Sequence, residues 1–330
     1  MNGGSARFFL VRLLVAVLTL AGISVVVFSI IALAPGDPFS DLAASGAVSP
    51  EILQDLRQRH GLDAPLLTQY VGWAGAFLRG DWGYSQGSRI DVQVLIAQRV
   101  PTTLFVMGTA YVLALLIAVP VGVISAVRQY SLVDHIVTLL AFIGNATPTF
   151  FTGMVLMLVF SYHLRWLPTI YPSAGTQGDL GPGLLGVSLD VLAGAVLPIA
   201  VLALAEAAQL TRYIRSAMLD VIRLDYVTTA RAKGLSERRV LVGHALRTAL
   251  LPVVTILALH VPNIFTGAIV TEQIFRVPGI GALLIGSLLS KDTPVVMAIV
   301  FSYAILAVVC SFVADVAYGL LDPRIRLARW

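Results

Sequence analysis

Long uninterrupted apolar runs alternate with short polar stretches along this chain. Six runs approach or exceed the roughly 20 residues that an α-helix needs to cross a hydrocarbon core. They are Leu13 to Ala34, Val100 to Val127, Ile136 to Leu164, Val191 to about Leu210, Thr248 to Thr271 and Thr293 to Ala314, the fourth being interrupted by Glu206. A backbone inside lipid must satisfy its own hydrogen bonds, so runs of this kind are read as helices. The pattern predicts an all-α polytopic membrane protein with six transmembrane helices. Arg7 and Arg12 before the first run, and Ala32-Leu33-Ala34 at its end, imitate a signal peptide. The run is longer than the ~7–15 residues of an h-region and Pro35 directly follows the would-be cleavage site, so it reads as a retained helix.

The stretches between the runs carry further pattern. In the segment 35–99, Pro50 to Arg59 and Pro65 to Leu78 read as helices, the second because Leu66, Leu67, Tyr70, Trp73, Ala74, Phe77 and Leu78 recur at near-helical spacing. Such a segment is either a small cap packed on the spans or a docking surface for an external partner. Pro101 is expected in the first turn of the second span, where its missing N–H matters least. The loop Arg165 to Asp190 is rich in glycine. No low-complexity segment or internal repeat stands out.

Composition narrows the class. Of 330 residues 58% are hydrophobic and 12% charged, against about 25% charged in soluble domains. The net charge of +4 is modest and does not suggest nucleic acid as a partner; the lipid bilayer is the expected surrounding. Most of the 22 Lys and Arg lie in the N-terminal segment, the Arg128 loop, the stretch Arg212 to Arg247 and the tail with Arg324, Arg326 and Arg329. Six spans put both termini on one side, and the positive-inside rule makes that side the cytoplasm. The expected organisation is a transmembrane helix over 1–34, an extracytoplasmic helical segment over 35–99, a five-helix core over 100–321 with a cytoplasmic loop at 219–252, and a cytoplasmic tail over 322–330. Cys310 is the only cysteine, which excludes an intrachain disulfide and a cysteine-based metal cluster.

The most informative polar island is Leu224 to Pro252. Tyr226 to Lys233 is expected to be a short helix with Asp225 capping its first turn and Arg231 and Lys233 in its last, where the helix dipole favours cations. Gly234 suits the left-handed position that ends a helix, and Ser236 is a plausible N-cap for the next, which begins at Glu237-Arg238-Arg239 and re-enters the apolar region. A short helix outside the bilayer can sit in a groove on a soluble partner and pass its motion inward. It can equally be a surface loop that is basic through the charge bias of cytoplasmic loops.

The residues themselves carry a resemblance. Asp225-Tyr226-Val227, Ala230-Arg231-Ala232-Lys233-Gly234-Leu235, His244-Ala245-Leu246-Arg247 and Leu251-Pro252 are similar to the ATPase-docking ("EAA") loop of ABC importer permeases of the dipeptide/oligopeptide branch. Thr228 and Thr229 stand among the positions where the general pattern has an acidic residue and alanines, and Thr248 stands where the branch usually has Asn. Pro35-Gly36-Asp37-Pro38, Gly80-Asp81-Trp82-Gly83-Tyr84-Ser85, Pro148-Thr149-Phe150, Arg215-Ser216, Glu272-Gln273-Ile274-Phe275, Pro278-Gly279-Ile280-Gly281 and Asp322-Pro323-Arg324 extend the resemblance over nearly the whole chain. It implies a type I ABC importer permease fold, with Asp225, Tyr226, Ala230, Arg231, Ala232, Lys233, Gly234 and Leu235 as the coupling segment. The implied partners are a homologous second permease, two cytoplasmic ATPase domains and an extracytoplasmic substrate-binding protein.

A nucleotide site is not expected in this chain. A P-loop needs GxxxxGK followed by Ser or Thr, and neither Lys233 nor Lys291 sits in that pattern. ATP and magnesium would therefore be bound by the partner subunits, and this chain would carry no cofactor or metal. Asn145 with Pro148, and His260 with Asn263, are polar, proline-associated positions inside spans and are the candidates for the translocation path. Glu206 is expected to pair with Arg212 or Arg215, or to snorkel. The rival readings are a membrane enzyme using His260, Glu206 or Asp315, against which these scattered single polar residues form no constellation on one face, and an ion-coupled transporter, which would need no ATPase partner.

Overall fold

The computed structural model describes residues 3–33, 49–52, 54, 63–172, 188–250, 252–253, 256, 264 and 268–321. Among the described residues the regular structure is helical: α1 (Gly3–Leu33), α2 (Leu66–Leu78), α3 (Val92–Val127), α4 (Leu132–Ala146), α5 (Thr149–Leu156, continuing as a π-helix over Met157–His163), α6 (Leu189–Ile222), α7 (Asp225–Ala232), α8 (Glu237–Arg239, continuing as a π-helix over Val240–Ala245), α9 (Ile269–Phe275), α10 (Ile280–Leu289) and α11 (Thr293–Leu321). Four helices are long and apolar enough to cross a membrane, over Leu10–Ile30, Val92–Val127, Leu189–Ile222 and Thr293–Val313. The count rises to six if each of two bent pairs is one span: α4 with the helix Thr149–His163, bent by 102°, and α9 with α10, bent by 87°.

The third expected span is thus broken, because Pro148 has no N–H to continue the α4 ladder; Thr147 instead donates both its N–H and its hydroxyl to the Ile143 carbonyl, at 2.9 and 2.7 Å. The fourth expected span ends its apolar run near Leu210, but α6 continues to Ile222, since polar residues end a hydrophobic run without ending a helix. Pro101 lies inside α3 and not in its first turn, because the helix starts at Val92. Most of the fifth expected span, most of the expected helix 50–59 (of which 50–52 and 54 are described, and helical), the loop 173–187 and the tail 322–330 lie outside the described residues.

The chain divides into two compact units, Met1–Arg99 with Leu283–Trp330, and Val100–Ala282. In the first, α1 packs along α11 and α2 lies on α1. An aromatic cluster holds them: Phe77 stacks on Trp82 at 4.9 Å, Trp73 and Phe77 meet Phe301 edge-on at 5.4 and 5.0 Å, and Phe28 meets Tyr70 at 5.5 Å. The Ser24 hydroxyl donates to the Ala21 carbonyl at 2.8 Å, so its single proton is committed and the Tyr70 hydroxyl, 2.8 Å away, is the donor to it. The Asp292 carboxylate, 3% exposed, accepts from the Ser85 hydroxyl and from the Gln86 and Gly87 N–H groups, tying the turn before α3 to the start of α11.

In the second unit α6 is the central element, with α4 and α5 packed along it. Helices in lipid gain little from the hydrophobic effect when they associate, so close approach decides their packing. Ala114, Ala118, Gly122 and Ala126 form a four-residue repeat of small side chains on α3. The three alanines are buried with Ala207, Leu210, Ile214 and Met218 of α6, and a Cβ on Gly122 would stand 2.9 Å from Ile214.

Candidate functional site

Helix α7 begins where α6 ends. Arg223 closes α6, and Leu224, in extended conformation, is the N-cap of α7. Asp225, expected to cap the helix, sits inside the first turn, where its charge still complements the dipole. Val227 and Ala230, three apart, point inward and are 0% and 7% exposed, packed in the core that Ile214, Met218 and Val221 of α6 form. Asp225, Tyr226, Thr228, Thr229, Arg231, Ala232, Lys233 and Gly234 are exposed. The segment therefore has a seated side and a presenting side.

Its end is closed by a Schellman motif. The Gly234 N–H donates to the Arg231 carbonyl at 2.9 Å, and the Leu235 N–H reaches back to the Ala230 carbonyl at 3.4 Å. This return needs a left-handed residue at position 234, and Gly234 has φ +76°. Lys233 is the C-cap, one place beyond the helix, and Leu235 packs against the core. Ser236 precedes α8 as expected but makes no side-chain cap hydrogen bond. Across the turn the Arg231 guanidinium holds Glu237 by two nitrogens, Nε to Oε2 at 3.1 Å and a terminal N–H to Oε1 at 2.8 Å. Those bonds keep the Glu237 carboxyl below its usual range and raise the guanidinium further.

Beneath this segment lies a network that the sequence reading did not assemble. Asp134, 3% exposed in the first turn of α4, accepts from the Arg215 Nε at 2.7 Å and a terminal Arg215 N–H at 2.8 Å, from the Ser125 hydroxyl at 2.5 Å and from the Tyr130 N–H at 2.9 Å. Arg215, one of two partners expected for Glu206, is thus engaged by Asp134, and Arg212 lies 5.3 Å over the Phe142 ring. Tyr130 is left-handed at φ +63°, a conformation costly for a non-glycine residue, with its N–H on the Asp134 carboxylate. Arg223 adds a second link from α6 to the same turn, donating to the Gln129 side-chain oxygen at 3.2 Å. The one local signal for this network is Ser131, the N-cap of α4, whose hydroxyl accepts from the Asp134 N–H three residues on.

The run from Glu272 to Gly281 also becomes intelligible. Glu272 is 2% exposed; its carboxyl accepts from the Thr103 hydroxyl at 3.1 Å and from the Ala282 N–H at 2.8 Å, while the Thr103 oxygen accepts from the Ile280 N–H at 2.8 Å. One side chain of α9 and one of α3 thus cap the first turn of α10 together. A Cβ on Gly279 would lie 2.2 Å from the Glu272 Oε1, so that position must be bare for the carboxyl to reach the helix end.

Of the four expected path residues, two lie among the described residues. Asn145 and Pro148 are exposed beside the α4–α5 bend, Pro148 being the N-cap of α5. His260 and Asn263 lie outside the described residues, as does the Asp315 side chain.

Residues 118–327 match the family model of the binding-protein-dependent transport system inner membrane component, and residues 5–107 match the model of the N-terminal part of such membrane components. The chain is 41% identical over 322 residues to the oligopeptide transport system permease protein AppB of Bacillus subtilis (strain 168), covering 97% of this chain and 99% of that one. It is 37% identical over 338 residues to the dipeptide transport system permease protein DppB of Escherichia coli (strain K12), covering 97% and 98%. A di/tripeptide transport system permease protein of Pseudomonas aeruginosa (strain UCBPP-PA14) is 38% identical over 329 residues, covering 96% and 98%.

Proposed function

Since the chain belongs to the family of binding-protein-dependent transport system inner membrane components, and is through that membership a multi-pass permease subunit, we propose that it forms half of the translocation pathway of an ATP-driven importer of dipeptides and oligopeptides. Helix α7 is the segment on which a cytoplasmic ATPase docks. The observation that carries this reading is the division of α7 into a seated side, Val227 and Ala230, and an exposed side bearing Tyr226, Arg231 and Lys233. A helix built only to close a surface loop has no need of a buried anchor and a presented polar face at once. Peptides as cargo are supported by the names of the relatives, which span nearly their whole length.

In this reading both termini are cytoplasmic, in accord with the distribution of Lys and Arg. The chain pairs with a homologous permease, receives substrate from an extracytoplasmic binding protein, and leaves ATP and magnesium to two ATPase domains. Closure of the ATPase pair displaces α7, and α6, continuous with it through Leu224, carries the displacement into the bundle. Of the contacts proposed for the coupling segment, Asp225, Tyr226, Arg231, Ala232, Lys233 and Gly234 face the partner, while Ala230 and Leu235 position them from within. Asn145, Pro148, His260 and Asn263 are proposed to line the path.

Purified alone, the chain should hydrolyse no ATP. Reconstituted with its second permease and ATPases in proteoliposomes, it should import a labelled dipeptide, and loaded binding protein should accelerate hydrolysis. Hydrolysis by the isolated chain, or import without ATPase subunits, would refute the reading.

A further inference from the structure

We propose that the Asp134–Arg215 pair is a positioning element that makes the α3–α4 turn and the α6–α7 junction move as one body during transport. The inference rests on the reading of α7 as the docking segment and adds the part that carries its motion onward. Small side chains line the contact of α3 with α6, and at the contact of α4 with α6 a Cβ on Gly144 would stand 2.9 Å from the Ala208 Cβ. Apolar contacts of this kind hold two helices close without fixing one along the axis of the other. A bidentate guanidinium–carboxylate pair does fix it, because two parallel N–H donors define both a direction and a plane.

The pair stands where such a fixing acts. From Arg215 helix α6 runs unbroken to Ile222, and α7 follows after Arg223 and Leu224. From Asp134 the same carboxylate reaches Ser125 near the end of α3 and the backbone of Tyr130 in the turn. Arg223, at the junction itself, binds Gln129 of that turn. A push on α7 is thereby delivered to α3, α4 and α6 together. Without the pair, the exposed Arg223–Gln129 bond and apolar packing are what remain of this link, and α6 is freer to slip against its neighbours.

The test is uptake per ATP hydrolysed, a ratio that the amount of folded protein does not change. Asp134→Asn, Arg215→Gln, the double variant and Arg215→Lys are reconstituted with the ATPases and loaded binding protein. The ATPase subunits should co-purify at the parental level and stimulated hydrolysis should persist. Labelled-dipeptide uptake per ATP should fall by about tenfold, within the ~5–150-fold span of typical couplings between sites. The double variant should be no worse than either single one, as for partners in one interaction, and Arg215→Lys, which keeps the charge without the planar fork, should recover part of the ratio. An unchanged ratio, additive losses, or loss of ATPase co-purification in these variants would overturn the proposal. Failure of the docking reading shows differently: an α7 variant such as Val227→Arg would then leave ATPase co-purification intact.

Discussion

Gly234 allows the docking reading to be tested with a graded series. At φ +76° with nothing within 4 Å of where its Cβ would stand, a Cβ placed there meets no neighbour among the described residues. The whole penalty within the chain is then the left-handed backbone, about 1–2 kcal/mol for an ordinary residue and more for a branched one. Each 1.4 kcal/mol corresponds to about tenfold in an equilibrium. Asn tolerates this region best among non-glycine residues, so the expected order of damage is Asn, then Ala, then Val. A turn that escapes the strain gives up the Gly234–Arg231 and Leu235–Ala230 hydrogen bonds and draws Glu237 away from Arg231. Gly234→Val should therefore leave the permease inserted and paired with its homologous partner, but weaken ATPase co-purification and abolish import in proteoliposomes. Gly234→Asn should retain most of both. Full association and import by the Val variant would refute the reasoning. Damage by Asn equal to that by Val would also refute it, because the requirement would then be bareness against a partner and not a backbone angle.

Three further outcomes are expected. Gly279→Ala should lower the thermal stability of the purified protein, because a Cβ 2.2 Å from Oε1 of a buried Glu272 displaces a carboxyl whose lost hydrogen bonds cost about 1–3 kcal/mol; unchanged melting in a fluorescence-detected size-exclusion assay would contradict this. The Arg231–Glu237 pair is exposed, so it contributes only ~0.2–1 kcal/mol; because its carboxyl is lowered on folding, that contribution is present above the ordinary Glu value and lost as pH falls through the folded one. Glu237→Gln should thus differ from the parent at neutral pH and converge with it in acid, and a difference that grew on acidification would reverse the sign. Single cysteines at Ser88 and Ser236 in a Cys310→Ser background should label from opposite membrane faces, Ser88 from outside, and same-side labelling would exclude the proposed orientation.

Much of this was legible in the sequence because each signal was local. Apolar runs marked α1, α3, α6 and α11, the spacing of Tyr70, Trp73 and Phe77 marked α2, and a glycine after basic residues marked the turn at Gly234. Boundaries were less legible wherever a helix outlasts its hydrophobic run. Gln93, Gln98 and Arg99 belong to α3 although its apolar run begins after them, and Arg212, Arg215 and Asp220 belong to α6 although its apolar run ends before them. The helix α10 was missed because its apolar stretch is too short for a span and lies next to a glycine-rich motif. The pairing of Asp134 with Arg215 joins residues 81 positions apart, and no local rule distinguishes that arginine from Arg212. The small-residue repeat at Ala114, Ala118, Gly122 and Ala126 was visible in principle, as a four-residue period hidden inside a uniformly apolar run.

The wide turn at Val240–Ala245 has a consequence for how the strand of code after the docking segment tolerates length change. Val240, Ala245, Ala249 and Val253 are all essentially buried, and their spacings are five, four and four. Drawn on an α-helical wheel, the first of these falls out of phase by about 100° from where a spacing of four would put it. The π turn absorbs one surplus residue and returns all four to a single stripe. Deleting one residue between 241 and 244 would turn the segment into plain α-helix and leave the stripe unbroken. Deleting one between 246 and 248 would instead rotate Ala249 and Val253 away from the core. Two deletions a few positions apart in the same helix should therefore differ sharply in effect, with the tolerated one inside the irregular stretch.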